Sequence, residues 1–117
     1  MRAAVSSQKE SEKGFPAFYV RVWTWMDQIP RGNVVTYKEL ARVVGNPRAV
    51  RAIGNACNKN PNAPHTPCHR VVASSGSLGG YALGLEKKIK LLEREGVEIV
   101  DGRIDLARFG HSFASKK

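Results

Sequence analysis

Residues 36–58 read TYKELARVVGNPRAVRAIGNACN, and this stretch decides the fold because it predicts two short helices joined by a tight turn. Thr36 is a favourable N-cap, and Glu39 three residues later completes the pattern of a capping box at the start of the first helix. Gly45 marks the turn, and Pro47 suits the first turn of a second helix that continues to the end of the stretch. Two helices arranged in this way are typical of a helix-turn-helix.

The second helix of this pair is rich in positive charge. It carries Arg48 and Arg51 and is followed by Lys59, and the second helix of a helix-turn-helix is the one that enters a DNA groove. The whole chain has 19 Lys and Arg against 10 Asp and Glu, a formal charge of +9, with a pI near 10.0. These features favour a nucleic-acid binder. They leave open an ordinary helical hairpin with solvated arginines, and a charge that serves solubility alone.

The rest of the 117-residue chain predicts further helices with short β elements between them. We expect one domain over residues 15–117, preceded by a flexible polar arm over residues 1–14. The further elements are predicted as a helix over residues 15–29, a strand over residues 69–73, a glycine-rich loop over residues 74–80, a helix over residues 85–95 and a small hairpin over residues 97–106. The expected buried faces are Leu40, Ala41 and Val44, then Val50, Ile53 and Cys57, and in the last helix Leu85, Ile89 and Leu92.

Hydropathy and cysteine usage exclude several classes of protein. No run of about 18 apolar residues occurs, which excludes a transmembrane helix, and the polar N-terminus does not read as a secretory signal. We therefore expect a cytoplasmic, nucleoid-associated protein, or a nuclear one in a eukaryote. Its two cysteines are expected to be thiols. A zinc site made of Cys57, His65, Cys68 and His69 can be written down, but its spacing matches no common zinc finger, so no metal is predicted.

Pro67-Cys68-His69-Arg70 is the segment with the clearest potential for chemistry. A thiol becomes a useful nucleophile when a neighbouring base or cation lowers its pKa, and Cys68 is followed by both. A buried structural cysteine is the alternative. A Cys–His hydrolase is disfavoured, because adjacent residues of a strand point to opposite faces.

The longer segment Pro67-Cys68-His69-Arg70-Val71-Val72 resembles the active-site signature of the O6-alkylguanine-DNA alkyltransferases, the methylated-DNA–protein-cysteine methyltransferases. The resemblance extends over about residues 15–100. Its other motifs are Gly32-x-Val34-x-Thr36-Tyr37, Arg48-Ala49-Val50-Arg51-Ala52-Ile53-Gly54, Asn60-Pro61, Ser75-Gly76, Gly79-x-Tyr81, Leu91-Leu92 and Glu95-Gly96. The fold it implies is mainly α with short β elements, a winged-helix-like helix-turn-helix domain that carries a cysteine active-site loop.

The resemblance implies a single-use repair reaction. A damaged nucleotide is flipped out of the duplex, and Cys68 attacks the alkyl carbon on O6 of guanine, which restores the base and leaves the protein permanently alkylated. No cofactor is implied. The implied partner is double-stranded DNA that contains O6-alkylguanine, bound by a monomer that associates with no membrane.

The resemblance also implies a role for individual residues. His69 would act through water as the base for Cys68, with Glu95 orienting His69 and Tyr81 donating a proton or hydrogen bond to the departing guanine. The implied DNA contacts and supports are Arg51 in the space left by the flipped base, Tyr37 against the phosphate that rotates, Asn60 as a brace, and Arg48, Lys59 and Ser74 as further DNA-binding residues. On the residues alone, each could equally belong to the core or to an ordinary surface.

The sequence departs from the family pattern at a few positions. Thr66 stands where the family usually has an aliphatic residue, and Leu83 follows Tyr81 where small residues are common. We hypothesise that Leu83 narrows the alkyl pocket and biases it toward small adducts. Most members carry a preceding domain, so the chain resembles a minimal form. The competing functions are an alkyltransferase-like lesion sensor, which typically lacks the cysteine, and a helix-turn-helix transcription regulator with a structural Cys68.

Overall fold

The computed structural model describes residues 14–113. Within them the elements in chain order are helix α1 (Ala17–Met26), strand β1 (Val35–Thr36), helix α2 (Tyr37–Val43), helix α3 (Val50–Asn58), a 3-10 helix (Cys68–Arg70), strand β2 (Val71–Val72), helix α4 (Leu85–Arg94) and helix α5 (Leu106–Phe109). The prediction of a mainly α fold with short β elements, built on a winged-helix-like helix-turn-helix, is confirmed. The predicted arm lies outside the described residues except for Gly14.

Helices α2 and α3 form the predicted helix-turn-helix. Thr36 caps α2, with its hydroxyl accepting a hydrogen bond of 3.0 Å from the backbone N–H of Glu39. The capping box is only half formed, because the Glu39 carboxylate turns to Arg42 and to the backbone N–H of Phe113 instead. Gly45 makes the turn with a φ of 92°, a left-handed conformation that suits glycine.

The starts of α1 and α3 differ from the prediction. Helix α3 begins at Val50 and not at Pro47, because Asn46 holds a separate turn in which its carbonyl accepts the N–H of Ala49 at 2.9 Å. Helix α1 is shorter than residues 15–29, with Pro16 as its N-cap and a tighter turn after Met26. As the first residue of α3, Val50 is 42% exposed, which corrects its predicted burial.

Helix α1 packs across the helix-turn-helix through its aromatic side chains. The Trp23 ring is fully buried, and its N–H donates to the carbonyl of Ala56 in α3 at 2.8 Å. Phe15 contacts the same ring edge-on, with centroids 5.0 Å apart. These contacts fix the back of α3 against the core and leave its opposite face outside.

Strand β2 corrects the prediction of a strand over residues 69–73. It pairs in parallel with β1 through Val35 opposite Val71 and Thr36 opposite Val72, and it is preceded by the 3-10 helix. That helix forms because the N–H of Arg70 bonds to the carbonyl of Pro67 at 2.9 Å. Cys68 and His69 therefore lie on a tight turn and not on opposite faces of a strand.

Helix α4 closes the second hydrophobic cluster, which comprises Val34, Val72, Leu78, Leu92, Val97, Ile104 and Phe109. Leu92 is fully buried as predicted, but Leu85 is 47% exposed and Lys88 is completely buried in its place. The reason is positional: Leu85 is the first residue of the helix, whereas Lys88 lies one turn before Leu92 on the inward face.

The predicted hairpin after α4 is confirmed at its turn. Val100 and Arg103 form an antiparallel bridge around Asp101-Gly102, and Arg103 also bridges to Ser77 in the loop after β2. The second arm ends where α5 begins at Leu106. None of the helices in residues 14–113 is long and apolar enough to cross a membrane.

Candidate active site

A cavity of about 330 Å³ lies between α3 and the loop that precedes α4. Its lining residues are Tyr37, Arg51, Gly54, Asn55, Cys57, Asn58, Cys68, Gly80, Tyr81 and Ala82. Four of the predicted site residues, at positions 37, 51, 68 and 81, therefore meet at one cavity although they come from α2, α3, the 3-10 helix and the loop before α4.

Cys68 is the first residue of the 3-10 helix and is 3% exposed. Burial raises the pKa of its thiol, and the Asn60 amide and the charge of Lys88 offset this rise only in part. The sulfur is therefore a protonated thiol near neutral pH. Nucleophilic use of Cys68 requires a base that removes the proton as the sulfur reacts.

His69, Glu95 and Arg70 form a buried network behind Cys68. His69 Nε2 lies 3.0 Å from Glu95 Oε2, while Arg70 grips both carboxylate oxygens at 2.9 and 2.8 Å and donates to the carbonyl of Ile29 at 2.7 Å. Burial alone would raise the pKa of Glu95, but the hydrogen bonds from Arg70 and His69 outweigh it and hold the pKa below its usual range. Glu95 is therefore an anion held in one orientation.

The network also sets the protonation state of His69. Burial lowers the pKa of His69, and the hydrogen bond to Glu95 only partly opposes this, so the ring is neutral at pH 7. Because an ionised carboxylate can only accept, Nε2 carries the proton, and Nδ1 keeps a lone pair. Among the described residues Nδ1 is buried without a hydrogen-bond partner. A neutral imidazole with a free Nδ1 is equipped to act as a base.

Two tyrosines face the cavity with protonated hydroxyls, because burial raises the pKa of each to about 12. The Tyr81 hydroxyl is buried and has no hydrogen-bond partner in residues 14–113. Tyr37 packs over Gly79, where a Cβ atom would come within 3.2 Å of the phenol ring. A side chain at position 79 would crowd this ring and would strain a backbone with a φ of 71°, so glycine suits the close approach.

Asn60 and Thr66 brace the turn beneath Cys68. The Asn60 amide donates to the Thr66 carbonyl at 2.7 Å, and the backbone N–H of Cys68 donates to the same oxygen at 2.9 Å. The Asn60 side-chain oxygen in turn accepts the N–H of Asn62 at 2.9 Å. Thr66 is fully buried, so this departure from the family pattern is accommodated inside the brace and does not disturb it.

Sequence reasoning missed Lys88. Its ammonium group donates to the carbonyls of Val71 at 2.8 Å and Gly80 at 2.9 Å, and also to the carbonyl of Leu78. Burial lowers the pKa of Lys88 to about 8. The side chain ties β2 to the loop that carries Gly80 and Tyr81, and so shapes one wall of the cavity. The available signal was a lysine four residues before Leu92 on the apolar face of a helix.

The remaining predicted DNA contacts lie outside the cavity. Arg48 precedes α3, Lys59 ends it, and Ser74 lies in the loop after β2, and all three are exposed. Leu83 is 49% exposed and does not line the cavity, which corrects the hypothesis that it narrows the pocket; Ala82 lines it instead.

Cys57 is a second thiol on the cavity wall, and its sulfur lies 3.9 Å from Met26 Sδ. Burial raises the pKa of Cys57 to about 12, so this thiol is less reactive than its position alone suggests. In the part of the chain that the structure describes, no three His, Cys, Asp or Glu side chains are grouped to hold a metal ion. The hypothetical set of Cys57, His65, Cys68 and His69 is thus not gathered into a ligand cluster.

Comparison with known proteins places this geometry in context. The family model of the 6-O-methylguanine DNA methyltransferase DNA-binding domain matches residues 17–97. The methylated-DNA–protein-cysteine methyltransferase of Methanosarcina acetivorans is 49% identical over 79 residues, which cover 68% of this chain and 51% of that protein. The bifunctional methyltransferase/endonuclease of Picrophilus torridus is 44% identical over 91 residues, which cover 78% of this chain and 30% of that protein.

The solved structure of S. pombe Atl1 in complex with damaged DNA containing O6-carboxymethylguanine is similar in fold, with a TM-score of 0.73 at 33% identity. The similarity covers 82% of this chain and 95% of that one. The chain thus spans nearly all of Atl1 but only about half or less of the curated relatives named above.

Proposed function

The chain belongs to the 6-O-methylguanine DNA methyltransferase family, and from that premise we propose that it transfers the alkyl group of O6-alkylguanine in double-stranded DNA to its own Cys68. The observation that supports this proposal most strongly is Cys68 on the cavity wall, followed by a neutral His69 whose Nδ1 is free to accept a proton. A sensor that only binds the lesion has no need of that arrangement.

The DNA-binding face in this proposal is the exposed side of α3. Arg51 is exposed and lines the cavity, and it would fill the gap left in the duplex when the damaged nucleotide rotates out. Tyr37, which also lines the cavity, would press on the phosphate of that nucleotide. Arg48, Lys59 and Ser74 would contact further phosphates. The cavity volume of about 330 Å³ is within the range of small-molecule sites and suits one flipped base.

The chemical step forms one bond and breaks another. The Cys68 sulfur attacks the alkyl carbon, the bond between that carbon and O6 of guanine breaks, and the electron pair of that bond stays on guanine. The thiol proton passes through water to His69 Nδ1, and Glu95 stabilises the resulting imidazolium. The Tyr81 hydroxyl donates a hydrogen bond to the guanine as negative charge develops on it. The guanine anion then takes up one proton, which balances the proton that the thiol gave up, and His69 returns to its neutral form.

The product is a thioether on Cys68 and an intact guanine. A thioether sulfur has no proton to lose and no remaining nucleophilic thiolate, so each chain would repair one lesion. We further propose that residues 15–117 act as one domain and as a monomer. The compartment would be the one that holds the genome: the cytoplasm with its nucleoid, or a nucleus.

A lesion sensor is the second candidate, because the similarity to Atl1 covers 95% of that chain. In that case the protein would bind the lesion and leave both the base and Cys68 unchanged. The two candidates share the DNA-binding face and differ only in the chemical step. An assay of Cys68 itself therefore separates them.

The test incubates the chain with a duplex that contains one O6-methylguanine and then analyses the cysteine peptides by mass spectrometry. Transfer predicts one added methyl group on Cys68 and none on Cys57, the other thiol at the same cavity. The matched variants are Cys68→Ala, which should lose transfer and keep lesion binding, and Cys57→Ser, which should keep both. Tight lesion binding with an unmodified Cys68 in the wild type would support the sensor.

A further inference from the structure

Three sulfur-containing side chains lie in the hydrophobic cluster that borders the cavity. Cys57 Sγ lies 3.9 Å from Sδ of Met26, and Cys57 and Cys68 both line the cavity. All three residues belong to one cluster, and none of them is more than 7% exposed. The proposed chemistry uses one of these sulfurs, the Cys68 thiol, and leaves the other two without a role.

Asn60 ties the two cysteines to each other. Its backbone N–H donates to the carbonyl of Cys57 at 3.3 Å, and its side-chain amide donates to the Thr66 carbonyl that also accepts the N–H of Cys68. One residue therefore joins the end of α3 to the turn that carries Cys68. Both thiols are free, so neither sulfur is committed to a disulfide.

The charges around the two thiols favour a cation between them. Burial is the main reason that the pKa of Cys57 is raised to about 12, and the charge of a Cys68 thiolate adds to the rise. Two thiolates would repel each other here, and a cation bound to both would remove that repulsion. The buried ammonium of Lys88 acts against burial to lower the pKa of both thiols, and it would balance the negative charge that remains.

The donor atoms indicate which cation fits. Thiolate and thioether sulfurs are soft ligands, which select Cu(I). Structural zinc needs four ligands, and in residues 14–113 no third His, Cys, Asp or Glu side chain joins the two cysteines. In a trigonal site with metal–sulfur bonds of about 2.3 Å the sulfurs lie about 4 Å apart. Cys57 and Met26 already have that spacing.

We propose that Cys57, Cys68 and Met26 form a binding site for one Cu(I) ion. Binding forms three copper–sulfur bonds, the two thiols release their protons to water, and copper keeps its oxidation state. The Cys68 sulfur then shares its electron pair with copper and is not available to attack an alkyl carbon. Copper would therefore block repair reversibly, and this consequence alone rests on the proposed function.

The test titrates Cu(I), supplied as its acetonitrile complex in the absence of oxygen, into the full chain in competition with a chromogenic Cu(I) chelator. We expect one Cu(I) per chain that excess Zn(II) does not displace. Cys57→Ser and Cys68→Ala should each weaken binding by more than about a hundredfold, since even the loss of a ligand's hydrogen-bonding partner costs roughly 10- to 100-fold. Met26→Leu conserves side-chain volume and should weaken binding by about tenfold, because the thioether is an uncharged ligand.

Cys57→Ser also separates the copper site from the repair chemistry. Without copper it should be methylated at Cys68 as the wild type is. At a free Cu(I) concentration that fills the wild-type site, the variant should still be methylated, whereas the wild type should react only after excess chelator is added. Cys57→Ala, which buries no hydroxyl, should behave in the same way.

Two results would overturn the three-sulfur site: a wild-type chain that loses all its copper to the chelator, or wild-type copper affinity in the Cys57 or Met26 variants. A chain that binds copper as expected but never methylates Cys68, with or without copper, would contradict the proposed function and leave the copper site standing.

Discussion

The two sides of the cavity differ in where their polar groups find partners. Behind the wall at Cys68 lies a set of buried or half-buried residues that we call the floor, and its charged groups are hydrogen-bonded to other groups of the protein. The floor comprises Cys68, His69, Arg70, Lys88 and Glu95. On the helix side, the side chains of Arg51, Asn55 and Asn58 in α3 make no hydrogen bond to any described residue.

This difference implies two kinds of constraint. Groups on the floor are held in place before any substrate arrives. Replacing them should therefore lower the stability of the free protein as well as the rate of the chemical step. Under the proposed function, groups on the helix side stay free until DNA binds, so replacing them should change the affinity for DNA and leave stability unchanged.

The largest effect is expected at Glu95. Glu95→Gln removes the charge that Arg70 and His69 share and leaves the Arg70 guanidinium half-buried without its counter-ion, which should cost about 3 kcal/mol of unfolding free energy. Urea denaturation provides the measurement. Glu98→Gln is the matched control, because its partner Arg108 is exposed, and it should change stability by less than about 0.5 kcal/mol. Equal losses in the two variants would remove the distinction between floor and surface.

A similar but smaller loss is expected at Lys88. Lys88→Met keeps the length of the side chain but leaves the carbonyls of Val71, Leu78 and Gly80 without their donor, which should cost about 2 kcal/mol. The loop with Gly80 should also exchange its amide hydrogens faster. The exposed neighbour Lys87 offers the control Lys87→Met, which should melt at the wild-type temperature. Amide exchange at the wild-type rate in this loop of the Lys88→Met variant would show that the ammonium group does not hold the loop in place.

The floor should also give stability a specific pH dependence. In the folded chain burial lowers the pKa of His69 below its ordinary value, whereas the unfolded chain keeps that value near 6.5. The unfolded chain therefore binds more protons as the pH falls below about 6.5, and the folded protein loses stability down through the lowered pKa. His69→Gln should reduce this loss in urea titrations, and His65→Gln, at an exposed position, should not. Identical pH profiles for wild type and His69→Gln would contradict the neutral buried ring.

The smallest effect on stability is expected on the helix side. Arg51→Ala should change the unfolding free energy by less than about 0.5 kcal/mol, because the side chain is exposed and unpaired within residues 14–113. Its affinity for a duplex with O6-methylguanine should fall by about tenfold, which corresponds to about 1.4 kcal/mol. Denaturation and anisotropy of the same preparation give both values. A large loss of stability would show that Arg51 is a structural residue.

The contrast between the floor and the helix side also explains which features the sequence could predict. The helix-turn-helix followed from local signals, a capped helix after Thr36 and a glycine turn at Gly45, and both are present. The positive charge of Arg51 marked the second helix as a candidate for DNA binding, and the resemblance alone gave this residue its particular role. Helix caps and turn glycines can be recognised within a few residues of sequence. Tertiary packing changes only the ends of the helices that they define, as it does at Val50.

The floor was harder to predict because its bonds join distant residues. Glu95 meets Arg70 across 25 positions, and the resemblance alone paired Glu95 with His69; nothing in the local sequence indicates that Arg70 grips the same carboxylate. The 3-10 turn at Cys68 is closed by the hydrogen bond from the N–H of Arg70 to the carbonyl of Pro67, and the pairing of β2 with β1 begins only at Val71. The β-branched residues alone therefore predicted a longer strand. From the sequence alone, Lys88 could be recognised only as a charged residue on the apolar face of a helix.

The most direct test of Cys68 as a single-use acceptor is a titration of repair against protein. Increasing amounts of a duplex with one O6-methylguanine are mixed with a fixed amount of the chain, and restored guanine is counted after the reaction has ended. We predict a plateau at one repaired lesion per chain, with every Cys68 methylated and Cys68→Ala inactive. No repair at any ratio, or repair that continues beyond one lesion per chain, would contradict the proposal that Cys68 is a single-use acceptor.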